Sequence, residues 1–270
     1  MSLTRHSLHR SETVSIRLVH CRPHDHGCGA DECSPVSRLV FPLRGTFLKH
    51  HSRRERVVAD ACHAIFFKAN EPYRVSHPVG GGDDCLVIEP SRDMMREVLG
   101  AEEFARTHVL LDASLVARPR ILRHRLSQRT ASGLEADETA LELLAATAAT
   151  AQALPAGQRQ TDMVEATKIA LATQPAEAWS LHALARRVHA SPFHLARTFR
   201  RLAGMPVHRY HLQARLAAAL VQVLDSSRDL SAIGLDVGFS SHSHFTHAFR
   251  RAFGATPAQL RKEGKILTAA

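Results

Sequence analysis

Histidine and cysteine side chains crowd between residues 20 and 33: His20, Cys21, His24, His26, Cys28 and Cys33, with Glu32 beside the last of them. Thiolate and imidazole are soft to borderline ligands, so such a stretch could hold zinc, iron or copper, or sense oxidants. The spacing argues against it, because Cys28 and Cys33 lie five apart rather than as a C-x-x-C pair and the segment precedes the strong strands, and ordinary loop residues explain the cluster better. His77 and Cys85 flank the turn Gly80-Gly81-Gly82 and could line a barrel mouth or be structural. No Ser/His/Asp arrangement, phosphate loop or carboxylate pair stands out, so no catalytic residue, metal ligand or cofactor is assigned and a non-enzyme is expected.

A second chemistry resides in arginine. Only Lys49, Lys68, Lys168, Lys262 and Lys265 among the 35 basic residues are lysines; the others are guanidinium forks, suited to phosphate oxygens and guanine edges. A genome-wide arginine bias explains part of that ratio but not its placement. Of the net charge of +9, the residues from Gln160 onward hold +7. A basic C-terminal part behind a nearly neutral one points to a polyanion partner for the C-terminal part.

The elements that position these groups follow from pattern. A chain of 270 residues, 44% apolar and 23% charged, suits two globular domains and excludes disordered, collagen-like and rod-like chains. No segment approaches the roughly 20 uncharged apolar residues of a membrane span. Arg5, His9, Arg10, Glu12 and Arg17 stand where a signal peptide needs an apolar core. A cytoplasmic protein is expected, its five cysteines (Cys21, Cys28, Cys33, Cys62, Cys85) reduced. From Ser15 to Glu89 the runs SIRLVH, SRLVFPLRG, TFLKHH, HAIFFK, YRVSH and CLVIEP, broken by turn residues, predict an antiparallel barrel or sandwich. Helical texture follows: SRDMMREVLG with a Ser cap, ASLVARPRILRHRL, and DETALELLAATAATAQAL with Leu141, Leu144, Ala148 and Ala151 on one stripe that could pack on the barrel, pair two chains, or both. A boundary is expected at 153–158, where Pro155 and Gly157 end that helix.

Beyond it the sequence repeats itself. At an offset of 49, Leu181, Leu184, Ala185 and Val188 meet Leu230, Ile233, Gly234 and Val237; at 50, Ser191, His194, Phe199, Arg200, Arg201 and Gly204 meet Ser241, His244, Phe249, Arg250, Arg251 and Gly254. Each copy predicts a short helix, a tight turn and a second helix ending at Gly, the pattern of a helix-turn-helix. Leu195, Phe199 and Leu202, and in the second copy Phe245, Phe249 and Ala252, form the buried stripes. VHRYHLQARLAAALVQVLD between the copies predicts a continuous helix of ~30 Å, which would hold the two units about one DNA turn apart.

The segment from Asp162 to Lys262 resembles the DNA-binding domain of the AraC/XylS family of bacterial transcription regulators. Its most specific part is I-x-x-x-V-G-F-x-S-x-S-x-F-x-x-x-F-R-R-x-F-G-x-T-P, from Ile233 to Pro257. Gly234 departs from the family's usual Ala, and an interior Gly weakens a helix by ~1 kcal/mol. FFKANEPYRVSHPVGGGDDC resembles, over a shorter and less specific stretch, the cupin-type sensor domain of such regulators. The resemblance implies an α+β chain: a cupin-like antiparallel β-barrel with a helical appendage, then an all-α domain with two helix-turn-helix units. The expected domains are 1–110 for ligand sensing, 111–158 for dimerisation and linkage, and 159–270 for DNA.

By the same resemblance the expected partners are double-stranded promoter DNA, a small-molecule effector, a second copy of the chain and RNA polymerase. The base-reading candidates are Phe193, Ala196 and Arg197 in the first unit and His242, Ser243 and His247 in the second; Arg200, Arg201, Arg250 and Arg251 are phosphate contacts. Two rival functions are a cupin metalloenzyme or cysteine-based metal or redox sensor fused to a DNA-binding tail, and a repair regulator with a zinc-bound reactive cysteine. The latter needs four clustered cysteines, and only Cys21, Cys28 and Cys33 lie close in sequence.

Overall fold

The computed structural model describes residues 2–23, 29–51, 56–149 and 157–266, a mixed fold with an N-terminal antiparallel sheet structure and a helical C-terminal region. The strands are β1 (Ser2–Arg10), β2 (Val14–Arg22), β3 (Arg38–Gly45), β4 (Phe47–His50), β5 (Arg56–Ala59), β6 (His63–Phe67), β7 (Arg74–Ser76), β8 (Asp83–Pro90) and β9 (His108–Leu110). They form one sheet of order β1-β2-β8-β3-β6-β9 and a smaller one of order β5-β4-β7. The six runs expected as strands became β2, β3, β4, β6, β7 and β8. β1 carried no strand pattern because it is an exposed edge, held by its ladder to β2 from Ser2↔Arg22 to Arg10↔Ser15 rather than by burial.

The large sheet is covered on both faces, so β3 and β8 read as unbroken apolar runs. Ile16, Leu39, Phe41, Leu86 and Ile88 pack against α1 (Arg92–Leu99), α2 (Ala113–Ser127) and α3 (Gly133–Ala149). Val40, Phe67, Cys85 and Val87 face Phe47, Val57 and Tyr73 of the small-sheet side. Ser91 caps α1 as expected. The stripe on α3 is rotated from the expected one. Ala136, Ala140, Leu143, Leu144 and Thr147 are buried within the chain while Leu141 is 39% exposed. Asp137 fixes that rotation by accepting hydrogen bonds from His9, Ser11 and Thr13 of the β1–β2 hairpin. Ala151 and most of the expected boundary, 153–156, lie outside the described residues.

The helical part comprises α4 (Gln158–Thr173), α5 (Leu181–Arg187), α6 (Pro192–Ala203), α7 (Val207–Asp225), α8 (Leu230–Asp236), α9 (His242–Phe253) and α10 (Pro257–Ile266). The expected long helix is α7, residue for residue. Its first half feeds a core with α4, α5 and α6 through Tyr210 and Ala214; its second half feeds another with α8, α9 and α10 through Leu216, Leu220 and Val223. None of the described helices is long and apolar enough to cross a membrane.

The two parts meet around a buried carboxylate. Asp60 accepts hydrogen bonds from His63 Nδ1 at 2.7 Å, from the Cys62 backbone N–H at 2.9 Å and from the Tyr210 hydroxyl of α7. Lys168 of α4 reaches the other ring nitrogen of His63 at 3.0 Å. Gln213 of α7 donates to the Leu111 carbonyl at 2.6 Å, and Arg56 of β5 grips Glu165 and Asp162 of α4 at 2.7 and 2.9 Å. Burial pushes the Asp60 carboxyl up, but His63, Tyr210 and Lys168 together hold it below the ordinary range. Burial and the neighbouring Lys168 push His63 down, and burial with Lys168 and His63 takes the half-buried His108 down to about 3.

These directions give an acid-sensitive junction. An imidazole whose folded pKa lies below its unfolded value of 6.5 leaves stability intact above pH 6.5 and removes it as pH falls toward the folded value. Asp60, also depressed, adds a loss at lower pH. Between pH 7 and pH 5 the chain should lose on the order of 1–2 kcal/mol, read as a fall in Tm, and His108→Asn should flatten the dependence. An unchanged Tm across that range would contradict the assignment.

Candidate nucleic-acid interface

The duplicated pattern becomes two helix pairs, α5 with α6 and α8 with α9, carried by opposite halves of α7. Their ends are made alike. Ser191 Oγ accepts from the His194 N–H and Ser241 Oγ from the His244 N–H, both at 3.2 Å, so each second helix opens on a satisfied cap. Gly204 and Gly254 close the same helices in the left-handed region, at φ of 73° and 78°.

The turn inside each pair also needs a left-handed residue, supplied by His189 at φ 51° and Gly238 at φ 93°. Gly238 is further constrained by crowding, since a β-carbon there would lie 2.7 Å from the Ala176 carbonyl oxygen and 2.9 Å from the Arg215 guanidinium carbon. Gly234 has a packing role rather than a merely loosening one. A β-carbon there would come within 2.9 Å of the Phe245 ring, so α8 and α9 cross closer than Ala at that position would allow without a shift.

Packing selects the outward faces. Leu195 and Phe199 on α6 and Phe245 and Phe249 on α9 are buried, while Leu202 and Ala252 at the ends of those stripes are only half-buried. Turned outward on α6 are Phe193, 76% exposed, with Arg197, Arg200 and Arg201; Ala196 is half-buried beside them. On α9, His242, Ser243, His247, Arg250 and Arg251 are all exposed. Arg201 leans on Gln160 and His242 on Thr246. Among the described residues no carboxylate pairs with Arg197, Arg200, Arg250 or Arg251. Several other guanidinium groups are engaged, Arg38 with Glu89, Arg123 with Asp225 and Arg228 with Asp236, while Arg5, Arg10 and Arg44 of the sheets also lack a carboxylate partner among the described residues. Buried Arg120 donates to the carbonyls of Val116, Pro42 and Ala61.

The histidine and cysteine cluster of the N-terminal third does not assemble among the described residues. His24, His26 and Cys28 lie outside them. His20 is paired with Asp84 at 2.7 Å, Glu32 accepts from Tyr73 and Cys33 is exposed, whereas Cys21 is buried. Sequence reasoning missed Asp60, Lys168 and Tyr210, because a junction between residues 150 positions apart leaves no local signal.

A family model described as a helix-turn-helix domain matches residues 184–263. Over 90 residues the chain is 31% identical to the bifunctional transcriptional activator/DNA repair enzyme AdaA of Bacillus subtilis, covering 33% of this chain and 43% of that one. It is likewise 31% identical over 90 residues to the probable transcription factor PqrA of Proteus vulgaris, covering 33% of this chain and 74% of that protein. Among solved structures, an AraC-type transcriptional regulator from Chromobacterium violaceum matches 40% of this chain and 96% of its own, with 27% identity and a TM-score of 0.38. The chain belongs to the AraC/XylS family. The match spans 43%, 32% and 24% of the length of three curated relatives, the first being AdaA.

Gly238→Ala should combine left-handed strain with collision against backbone and lose roughly 2–4 kcal/mol, measured by chemical denaturation. His189→Gly, at the matching turn, should not destabilise the fold by more than ~1 kcal/mol. Equal losses at both positions would show that the two turns are not equivalent in the way described.

Proposed function

We propose that this chain is a sequence-specific DNA-binding transcription regulator whose two helix-turn-helix units, α5–α6 and α8–α9, read promoter DNA through α6 and α9. The observation that carries the reading is the set of exposed guanidinium groups left without carboxylate partners at matching positions of both second helices, Arg200 and Arg250 among them. Like charges gathered on one face raise the energy of the free protein and favour a polyanion. α7, 19 residues and ~28 Å long, sets the units about one helical repeat of DNA apart.

Phe193, Ala196 and Arg197, and His242, Ser243 and His247, are the base readers in this proposal; Arg200, Arg201, Arg250 and Arg251 hold phosphates. The N-terminal sheets serve as a cupin-like sensor. A cavity of about 110 Å³ lies between them, lined by Val19, Phe47, Phe67 and Tyr73 with Arg17 and Arg38 at its polar side. It supports control by a small-molecule effector. Leu134 and Leu141, 70% and 39% exposed and one heptad apart on α3, support pairing of two chains through that helix.

Fluorescence anisotropy with the full chain tests the DNA reading. About six phosphate contacts give a log-log salt slope near −5, and a flat dependence would refute it. Selections on randomised duplexes should lose ~1–3 kcal/mol of discrimination at one half-site in Arg197→Ala, because only a guanidinium grips guanine O6 and N7 together. His247→Ala should change specificity less, since imidazole offers one directional bond. Undiminished specificity in Arg197→Ala would exclude that residue as a base reader. Leu134→Arg with Leu141→Arg should turn a dimer into a monomer by light scattering; a wild-type monomer at micromolar concentration would remove the seam.

A further inference from the structure

The register between β2 and β8 sets Cys21 directly opposite Asp83 and Val19 opposite Cys85. Residues two apart on a strand share a face, so Asp83 and Cys85 both point to the same side as Cys21, into the space between the sheets. His77 follows β7 of the other sheet and closes over them. The donor atoms of Cys21, His77 and Asp83 all lie within 4.8 Å of one another, and all three residues are buried. Asp83 accepts from His77 Nε2 at 2.6 Å and, through its other oxygen, from the Cys85 thiol at 3.0 Å. Two sulfurs, an imidazole and a carboxylate thus converge from three chain segments.

We propose that Cys21, His77, Asp83 and Cys85 form a binding site for a zinc-class divalent transition ion. Sulfur, nitrogen and one carboxylate oxygen are the ligand set such ions prefer, whereas calcium or magnesium would require oxygen throughout. Bonds of about 2.0–2.3 Å in a tetrahedron place donors about 3.3–3.8 Å apart; Cys21, His77 and Asp83 already lie near that spacing, and Cys85, now hydrogen-bonded to Asp83, would turn its thiol toward them as the fourth ligand. The frame is stiff. Gly82 at φ 73° lets the start of β8 pass so near β2 that a β-carbon on it would sit 1.9 Å from the Cys21 carbonyl oxygen. Gly45, at φ 75°, packs as tightly against Gly82 from the other side. Sites on strands locked in this way are held ready for a ligand.

The site shares its cavity with the proposed effector, because Cys21, Asp83 and Cys85 line it. Its existence does not depend on the DNA-binding reading, and the experiment separates the two. The full chain, stripped with chelator, is titrated with Co(II) alone and with Zn(II) alone, and bound metal is counted by mass spectrometry. One ion per chain is expected, with thiolate-to-cobalt charge-transfer absorption and a higher Tm when loaded. Cys21→Ser and Cys85→Ser should each weaken binding at least tenfold and diminish that absorption, while Cys33→Ser, at an exposed thiol, leaves both unchanged. Circular dichroism and DNA binding of the same variants report whether they fold. No bound ion in the wild type, or full binding in folded Cys21→Ser and Cys85→Ser, would mean that the four groups are only a buried hydrogen-bonded cluster. Metal binding without DNA binding would overturn the regulator and leave this site standing.

Discussion

Asp60 is a fully buried carboxylate, and an unpaired charge in that position would cost several kcal/mol. Its partners come from three places: His63 three residues on at the start of β6, Tyr210 from α7, and Lys168 from α4 acting through His63. The N-terminal part alone would leave the carboxylate without its hydroxyl and its countercharge. The helical part alone would expose Tyr210 and strand Lys168. Each half therefore completes the other, and the angle between sheet and α7 is set by hydrogen-bond geometry as well as by apolar contact.

α7 is where that constraint becomes useful. The helix carrying Tyr210 and Gln213 toward the sheets is also the common wall of both helix-pair cores. α2 adds a second tie, with one guanidinium nitrogen of Arg123 donating to both carboxylate oxygens of Asp225 at the far end of α7 and Ala117 set into the core of α8 and α9. A ligand that shifts the sheets would act on α7 at both ends. Coupling of this kind needs a rigid element in contact with both regions, and α7 is that element.

What the sequence made legible was local. The strands with β-branched and aromatic runs, the Ser caps, the left-handed Gly termini and the whole of α7 follow from residues within a few positions of one another. The face of α3 was misjudged because its rotation depends on Asp137 meeting the β1–β2 hairpin more than a hundred residues earlier. The same holds for sites. Cys21 was visible as part of a histidine and cysteine stretch, but its neighbours in space are Asp83 and Cys85, which only the strand register supplies. Pairing register is a long-range property and leaves no trace in spacing.

The distribution of arginine partners extends the argument from composition to placement. A residue bias at the level of the genome would put guanidinium groups everywhere and leave their partners to chance. In this chain Arg17, Arg22 and Arg38 of the sheets meet Glu89 or Asp84, buried Arg120 meets backbone carbonyls, and Arg123 and Arg228 near the ends of α7 meet Asp225 and Asp236, whereas Arg5, Arg10 and Arg44 have no carboxylate partner among the described residues. Arg197, Arg200, Arg250 and Arg251 are set apart by placement: the buried stripes of α6 and α9 force them outward on matching faces, where no described carboxylate reaches them. Hydrophobic burial therefore does the electrostatic sorting: by fixing which face of each helix enters the core, Phe199 and Phe249 determine which charges stay available to a partner.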